Sequence, residues 1–274
     1  MTYFPLHQTT CFFIPLVAPC KPLLECFDSS NRLYSMGTGF LLQRPIDKDK
    51  CKIYLVTNKH VLKDAEAIRI TFTKNRDGSP DIGNTLNIPI SDSKKYIVMH
   101  PNPKVDVAIL ECTGLFNLFP DQLYFKAVSY DMLADFTESE LSVAENIYFV
   151  GYPDNRYDKT NNLPLIRTGL ISSHPKLDYN GDPVFIIDAQ VFPGSSGSPV
   201  YIDLTYENFK NGQIAIGNKK IRLLGIVAQT MVRNNQLQAV PTGTAFATQE
   251  VLGLGIVFKS TTIKELIDSM PTDN

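Results

Sequence analysis

The chain has 274 residues, which is enough for one large domain or two small packed modules with a substantial core. With 43% hydrophobic and 20% charged residues, it has the composition of a soluble globular protein. Its formal net charge of -2 gives no electrostatic reason to expect nucleic acid or an anionic membrane as a partner.

The apolar segment nearest the start runs from Cys11 to Pro19 and is too short to span a bilayer. It also lacks the basic region and the small-residue cleavage site of a signal peptide. We therefore expect a cytoplasmic protein, or one that has already lost its leader, without a membrane partner.

Short apolar runs rich in Val, Ile, Phe and Tyr recur along the chain, and most of them end at Gly, Pro, Asn or Asp. Clear examples are Lys52–Thr57, Ala67–Phe72, Tyr96–Met99, Val105–Leu110, Asn146–Gly151, Val184–Ile187 and Leu223–Val227. Many short strands with such endings predict an all-β sandwich or barrel and not alternating β and α units.

An irregular stretch with an acidic cluster, from about Phe116 to Glu145, interrupts this pattern. We place a boundary between two β modules within it. Residues 1–125 are expected to form an N-terminal arm and the first module, and residues 126–274 a linker, the second module and a C-terminal helix.

That helix is predicted directly after a last strand, Gly255–Phe258. Thr262 and Glu265 have the spacing of a capping box. The apolar residues that follow recur at helical spacing and are Ile263, Leu266, Ile267 and Met270. We expect this helix to dock on the second module.

All cysteines lie in the first half of the chain, and they are Cys11, Cys20, Cys26, Cys51 and Cys112. Their odd number and the lack of a CxxC pair argue against a disulfide framework and against a structural zinc site. We therefore expect buried free thiols in a reducing compartment.

The segment Pro193–Pro199 reads PGSSGSP and lies between two predicted strands. A nucleophilic serine needs a tight turn that exposes its Oγ and backbone N–H groups that converge where an oxyanion forms. Gly194 leaves room for such a donor two residues before Ser196. The segment favours Ser196 as a nucleophile, and a structural turn is the alternative.

A serine nucleophile needs a base, and the histidines of the chain are His7, His60, His100 and His174. His60 ends an apolar strand in the sequence TNKHV, and Asp106 lies within the apolar sequence KVDVAIL. A carboxylate in such a strand is costly to bury unless it is paired. We expect His60 to be the base and Asp106 to fix its tautomer; a strand-end histidine and an exposed aspartate are the structural alternatives.

The order of these residues along the chain is His, Asp, Ser, and no histidine follows Ser196. An α/β-hydrolase needs its histidine after the serine and a glycine where Ser198 stands. The subtilisin order places the aspartate before the histidine. Both classes are excluded.

TNKHV around His60, DVAIL around Asp106 and PGSSGSP around Ser196 resemble the three catalytic signatures of the trypsin-like serine peptidases. Five further segments are similar to strands and turns of that family, and they are GTGFL at 37–41, FVGYP at 149–153, TGLIS at 168–172, LGIV at 224–227 and GIVF at 255–258. The last of them, with the helix after it, resembles the end of Deg-type and other bacterial members. The resemblance runs from about residue 12 to 270.

This resemblance implies a chymotrypsin-like fold of two six-stranded antiparallel β-barrels with a C-terminal helix. His60 and Asp106 would lie on the first barrel and Ser196 on the second, with the active site in the cleft between them. It implies peptide-bond hydrolysis through an acyl-enzyme intermediate. The oxyanion hole would be formed by the backbone N–H groups of Gly194 and Ser196.

The family register places Gln190 near the floor of the substrate pocket. Ala228 and Thr230 would lie along one wall and Gly255 along the other. Because none of them is charged, we expect an uncharged P1 residue. Ser195 and Val61 stand where secreted trypsins have an aspartate and a disulfide cysteine, which favours a cytoplasmic, bacterial-type member.

Two other functions stay open. One is a catalytically silent binding or scaffold module with a protease fold, and the other is a general esterase. The chain has no HExxH motif, P-loop or clustered ligand set, so we expect neither a metal nor a cofactor. The expected partners are a protein or peptide substrate and, because no propeptide is evident, a regulatory protein.

Overall fold

The computed structural model describes residues 4–5, 22–205, 220–238 and 245–271. His7, Cys11, Cys20 and the apolar segment Cys11–Pro19 lie outside these ranges. In chain order the strands are β1 (Phe4–Pro5), β2 (Leu23–Phe27), β3 (Leu33–Thr38), β4 (Phe40–Pro45), β5 (Lys50–Thr57), β6 (Ala67–Arg76), β7 (Ser79–Ser91), β8 (Ile97–Met99), β9 (Ala108–Glu111), β10 (Leu123–Tyr124), β11 (Val128–Ser129), β12 (Asn146–Gly151), β13 (Leu165–Ile171), β14 (Val184–Asp188), β15 (Pro199–Asp203), β16 (Ile221–Gln238) and β17 (Ala245–Lys259). The α-helices are α1 (Lys59–Leu62), α2 (Thr113–Leu118) and α3 (Ser260–Asp268).

The strands of the second half form a closed antiparallel barrel in the order β12-β13-β14-β17-β16-β15. This confirms the predicted six-stranded barrel for that half. Its core is filled by inward-facing apolar side chains, among them Phe149, Phe185, Ile187, Val200 and Val257.

The strands of the first half form two sheets around a shared core. One has the order β11-β4-β5-β9-β8, with β1 beside β5, and the other has the order β10-β6-β2-β3, with β7 beside β6. Only Gly39 separates β3 from β4, so the chain crosses from one sheet to the other at this residue. A closed first barrel remains a prediction.

Strand β5 joins the cores of the molecule because both of its faces are buried. Ile53 and Leu55 point into the core of the first half. Tyr54 and Val56, on the opposite face, pack in a second cluster with residues of the second half such as Tyr201. This alternation follows from the two-residue period of a strand. The second cluster holds the two halves together at the place where the predicted site residues meet.

Helix α3 follows β17, as predicted, and buries Ile263, Leu266 and Ile267 in the same second cluster. The predicted capping box is wrong. The helix begins at Ser260 without a side-chain cap, and the Thr262 hydroxyl instead donates to the Lys259 carbonyl at 2.7 Å. In the described ranges, none of the helices combines the length and the apolarity needed to cross a membrane.

The irregular stretch between the halves contains helix α2 and the two-residue strands β10 and β11. β11 pairs in parallel with β4, so the sheets of the first half extend to Ser129. The division into residues 1–125 and 126–274 stays a prediction.

Cys26, Cys51 and Cys112 are buried and form no disulfide in the described part of the chain. Burial raises the pKa of the Cys26 thiol to about 12, that of Cys51 to about 11 and that of Cys112 to about 12. Because the thiolate is the reactive form, these cysteines are poor nucleophiles at neutral pH. Their buried environment is that of side chains that pack in the core.

We expect a reducing agent to leave the melting temperature and the activity unchanged. A structural disulfide contributes about 2–4 kcal/mol, and its loss would lower the melting temperature by several degrees. In denaturant without reductant, a thiol reagent should react with all 5 cysteines of the chain. Fewer reactive thiols, or a clear fall in melting temperature with reductant, would contradict this expectation.

Candidate active site

His60 is presented by a single helical turn that follows β5 directly. The next two residues, Val61 and Leu62, are buried in the core of the first half and anchor this turn. The His60 side chain keeps 48% of its surface exposed. The sequence predicts a histidine at the end of a strand. In the structure the two residues after His60 are buried in the core, whereas the His60 side chain is partly exposed.

Asp106 lies just before β9 and not inside a strand, because β9 begins only at Ala108. The predicted strand Val105–Leu110 is therefore too long at its start. Val105 and Val107 are nevertheless buried on either side of Asp106. This packing fixes the backbone while the carboxylate projects from it.

Ser196 lies in a compact loop between β14 and β15. Two turns shape the loop, with the Ser195 N–H donating to the Phe192 carbonyl at 3.0 Å and the Ser198 N–H to the Ser195 carbonyl at 3.0 Å. The Gly197 N–H donates to the Val227 carbonyl of β16 at 2.9 Å. The barrel thus holds the loop from its inner side.

The three side chains form a continuous series of hydrogen bonds. Ser196 Oγ lies 2.8 Å from His60 Nε2, and His60 Nδ1 lies 2.5 Å from Asp106 Oδ2. The other carboxylate oxygen accepts the His60 backbone N–H at 3.0 Å. Because a carboxylate can only accept, the proton of a neutral His60 resides on Nδ1, and Nε2 is free to accept the serine proton.

The Ser196 hydroxyl has a second acceptor, the Ala228 carbonyl at 3.0 Å. A hydroxyl has one proton, so it is directed either to His60 Nε2 or to Ala228. Both acceptors lie within hydrogen-bond distance, which keeps the serine oxygen in place for either orientation.

Gly194 has a conformation that suits only glycine at this place. Its φ is 84°, and a Cβ there would lie 2.3 Å from the Tyr152 carbonyl oxygen. Among the described residues, no acceptor is bonded to the backbone N–H of Gly194 or of Ser196. Ser195, between them, is 1% exposed, and its hydroxyl has no hydrogen-bond partner in the described part of the chain.

Thr38 holds the serine loop, a role that the sequence analysis did not assign. Its N–H donates to the Ser196 carbonyl at 2.9 Å, and its hydroxyl donates to the Gly194 carbonyl at 2.9 Å. The hydroxyl also accepts the Tyr152 N–H at 3.2 Å. Thr38 thereby links the first half to the serine loop; its place in the GTGFL motif was the available signal.

Asn58 is a second positioning residue that was missed. It is fully buried, and its Nδ2 donates to the Asp106 backbone carbonyl at 2.7 Å. The bond ties the aspartate segment to the histidine turn two residues away. An asparagine two residues before the histidine, in TNKHV, was the only signal for it.

Three of the four residues predicted to line the substrate pocket lie close together. Ala228 is buried beside Ser196, and Thr230 pairs with Gly255 across β16 and β17. The Thr230 hydroxyl donates to the Leu254 carbonyl at 3.3 Å. Gln190 is exposed, and its part in a pocket stays a prediction.

The space in front of Gly255 is occupied by Val191. A Cβ on Gly255 would lie 2.6 Å from a Val191 methyl group and 3.0 Å from Ile187. Val191 is 2% exposed. The sequence signal for Val191 is its place directly after Gln190, since successive residues of an extended segment point to opposite sides.

Comparison with solved structures finds similar chains at low identity. The HtrA-type protease AlgW with tripeptide is 18% identical with a TM-score of 0.49, covering 92% of this chain and 60% of that one. The Rv3671c protease from M. tuberculosis, active form, is 18% identical with a TM-score of 0.48, covering 93% and 82%. The MamO protease domain from Magnetospirillum magneticum, apo form, is 13% identical with a TM-score of 0.46, covering 90% and 95%.

The chain thus spans 60% of the length of the AlgW chain. No curated protein sequence matches it. The family model of the trypsin-like peptidase domain matches residues 37–205, which is more than half of the chain and includes His60, Asp106 and Ser196. The chain therefore belongs to the trypsin-like peptidase domain family.

Proposed function

We propose that the chain is a serine endopeptidase with Ser196 as nucleophile, His60 as general base and Asp106 as its orienting acid. The observation that carries this proposal is the series of hydrogen bonds from Ser196 Oγ to His60 at 2.8 Å and from His60 to Asp106 at 2.5 Å. It has the connectivity that an activated serine requires.

In the first step, Ser196 Oγ attacks the carbonyl carbon of the scissile peptide bond and its proton passes to His60 Nε2. The tetrahedral intermediate collapses, the C–N bond breaks, and His60 donates the proton to the leaving amine. The ester on Ser196 is then attacked by water, whose proton passes to His60. Breakdown of the second intermediate releases the carboxyl product and returns the proton to Ser196.

The backbone N–H groups of Gly194 and Ser196 are the proposed oxyanion hole. Both lack a bonded acceptor among the described residues, so both are available to the oxyanion of the intermediate. One such donor is worth about 3–4 kcal/mol of transition-state stabilisation. The bonds from Thr38 to the carbonyls of Gly194 and Ser196 support it by holding the peptide unit that directly follows each of these N–H groups.

The other parts of the proposal concern the wider molecule. The two sheets of residues 1–125 would correspond to the first barrel of the family, and residues 126–274 to the linker, second barrel and helix. Buried cysteines that form no disulfide in the described part of the chain suit a cytoplasmic location. There a regulatory protein partner would restrain the activity, and full activity of the isolated protein on unfolded substrates would remove the reason for that partner.

For the substrate pocket, we propose a neutral site bounded by Gln190, Val191, Ala228, Thr230 and Gly255. Val191 fills space against Gly255, which favours a short P1 side chain. A cationic side chain would lose its hydration without gaining a carboxylate, and such burial is strongly disfavoured.

Peptide-library profiling should therefore show P1 enriched in small, apolar or uncharged polar residues. Gln190→Asp should shift the preference towards Lys and Arg, because it places a carboxylate in the pocket. Gln190→Asn, which has the same size without the charge, is the matched control and should keep the original profile. Cleavage by the wild-type protein almost solely after Lys or Arg would refute the neutral pocket.

The reaction class is tested by incubating the purified protein with an unfolded protein and with matched amide and ester substrates. Chemical labelling of new N-termini followed by mass spectrometry should locate internal cleavage sites. Hydrolysis of the ester without any peptide cleavage would indicate an esterase. Hydrolysis of neither substrate would favour the catalytically silent scaffold.

A further inference from the structure

A cavity of about 470 Å³ is lined by residues outside the Ser–His–Asp constellation. Its lining includes Leu165, Ile166 and Arg167 of β13, Asp154 and Arg156 after β12, and Phe192. The proposed peptidase mechanism uses none of these side chains.

The Arg167 guanidinium has no carboxylate partner among the described residues. Its guanidinium lies 5.0 Å from the ring centroid of Phe149 and 5.3 Å from that of Phe192. Nη1 is buried and has no hydrogen-bond partner within the described residues. Burial lowers the pKa of this guanidinium, as desolvation of a cation does. A buried donor without an acceptor is costly, so such atoms usually have a role.

Arg69 shows how a comparable arginine is completed elsewhere in the chain. Its guanidinium lies 5.0 Å from the ring centroid of Phe27, much as Arg167 lies over its two rings. It also donates two hydrogen bonds to the Glu25 carboxylate, at 2.6 and 2.7 Å. The carboxylate is the component that Arg167 lacks among the described residues.

The walls around Arg167 are apolar and accessible. Leu165 is 41% exposed, Ile166 46% and Phe192 37%. The other arginine at this cavity, Arg156, is paired with Asp154 at 3.2 Å, so it does not compete strongly for an incoming anion. The complementary ligand therefore carries a carboxylate next to a short apolar group.

We propose that this cavity is a binding site for a carboxylate on a short apolar body, with the carboxylate accepting hydrogen bonds from Arg167 and the apolar part covering Phe192 and Leu165, which lies on the same face of β13 as Arg167. Two sources share this chemistry. One is the C-terminal residue of a peptide that ends in an apolar side chain, and the other is a medium-chain fatty acid.

The site is connected to the serine loop through the backbone. The Phe192 carbonyl accepts the Ser195 N–H at 3.0 Å, and the Pro193 carbonyl accepts the Asp154 N–H at 2.6 Å. A ligand in contact with Phe192 therefore restrains the segment that leads into Gly194. Any effect of the ligand on catalysis rests on the proposed function. Binding of the ligand and restraint of the serine loop do not depend on it.

Binding is measured by calorimetry on the full chain carrying Ser196→Ala, so the result does not depend on turnover. The probes are N-acetyl-leucine, octanoate and the neutral N-acetyl-leucinamide. We expect the carboxylates to bind and the amide not to bind. Tighter binding of N-acetyl-leucine identifies a peptide C-terminus as the source, and tighter binding of octanoate a fatty acid. No saturable binding of either carboxylate up to about 10 mM, or equal binding of the amide, would overturn the proposal.

Arg167→Gln should weaken carboxylate binding by about tenfold or more, the scale of one charge-assisted hydrogen bond. It should not lower the melting temperature, because it removes an unpaired charge. Leu165→Glu supplies a carboxylate from an exposed residue on the same face of β13 as Arg167 and should block binding as well. The matched control, Arg69→Gln, changes an arginine that already has its carboxylate and should leave binding unchanged. Equal effects of Arg167→Gln and Arg69→Gln would contradict the site.

Hydrogen exchange tests the connection to the loop. Saturation with the better carboxylate should slow exchange of the Asp154 and Ser195 amides, which bond to the Pro193 and Phe192 carbonyls. The Arg167→Gln protein under the same conditions should show no slowing. Unchanged exchange in the parent protein at saturation would refute the restraint of the loop.

Discussion

Ser196→Ala should lower the turnover of a peptide substrate on the order of a million-fold, the scale found for other Ser–His–Asp triads. The alanine lacks the oxygen that attacks the carbonyl carbon, and the neighbouring Ser195 does not replace it, since Ser195 is only 1% exposed. His60→Ala should cost about as much, because an unactivated serine is a poor nucleophile.

The double variant should be hardly worse than either single variant, since nucleophile and base act as one unit. Steady-state kinetics on a peptide substrate, with the melting temperature as a check on folding, measures all three. Ser195→Ala is the matched control, because it removes a neighbouring serine hydroxyl that has no hydrogen-bond partner in the described part of the chain. Turnover of Ser196→Ala within tenfold of wild type would move the nucleophile elsewhere.

Asp106→Asn should lower turnover by about ten-thousand-fold, as the same change does in another triad. The carboxylate accepts from both the His60 Nδ1 position, at 2.5 Å, and the His60 backbone N–H, at 3.0 Å. An amide that accepts the backbone N–H turns its NH2 group towards Nδ1. His60 then carries its proton on Nε2 and cannot accept the proton of Ser196.

The kinetic measurement for Asp106→Asn is the turnover number near neutral pH together with the melting temperature. Asp182→Asn is a suitable control, since it removes a carboxylate paired with Lys104 at 3.3 Å on the surface. That variant should keep its activity. A loss of less than tenfold in Asp106→Asn would show that Asp106 does not orient His60.

Several strands could be predicted from the sequence because they carry a local signal. β12 (Asn146–Gly151) begins and ends where the apolar run does. β5 and β14 differ from the prediction by only one or two residues at an end. Helix α3 followed from the spacing of Ile263, Leu266 and Ile267. These features depend on which side chains are apolar and at what interval.

The two wrong predictions that follow concern hydrogen bonds, which the spacing of apolar residues does not reveal. Val105–Val107 is apolar enough for a strand, but the Val105 N–H is bonded within a turn to Asn102, so pairing starts only at Ala108. Thr262 has capping-box spacing, but its hydroxyl donates to Lys259. In both cases the bond goes to a carbonyl three residues back, and the spacing of the apolar residues does not reveal it.

The motifs identified the residues that meet in the site but not those that hold them. Thr38 bonds to Gly194 across 156 positions of the chain, and no local pattern reports such a contact. Val191 was not identified because the direction of its side chain depends on the backbone conformation of the loop after β14. In the sequence, Arg167 looks like an ordinary polar position of a strand, and only the structure shows the rings of Phe149 and Phe192 around it.

The most direct test of the proposed function is the reaction of the purified protein with a fluorophosphonate probe, followed by peptide mapping. The probe modifies a serine oxygen only when a neighbouring base removes its proton. We predict a single stoichiometric adduct on Ser196 that is absent in the His60→Ala protein. An unreactive folded wild-type protein, or an adduct on another residue, would contradict the assignment of Ser196 and His60.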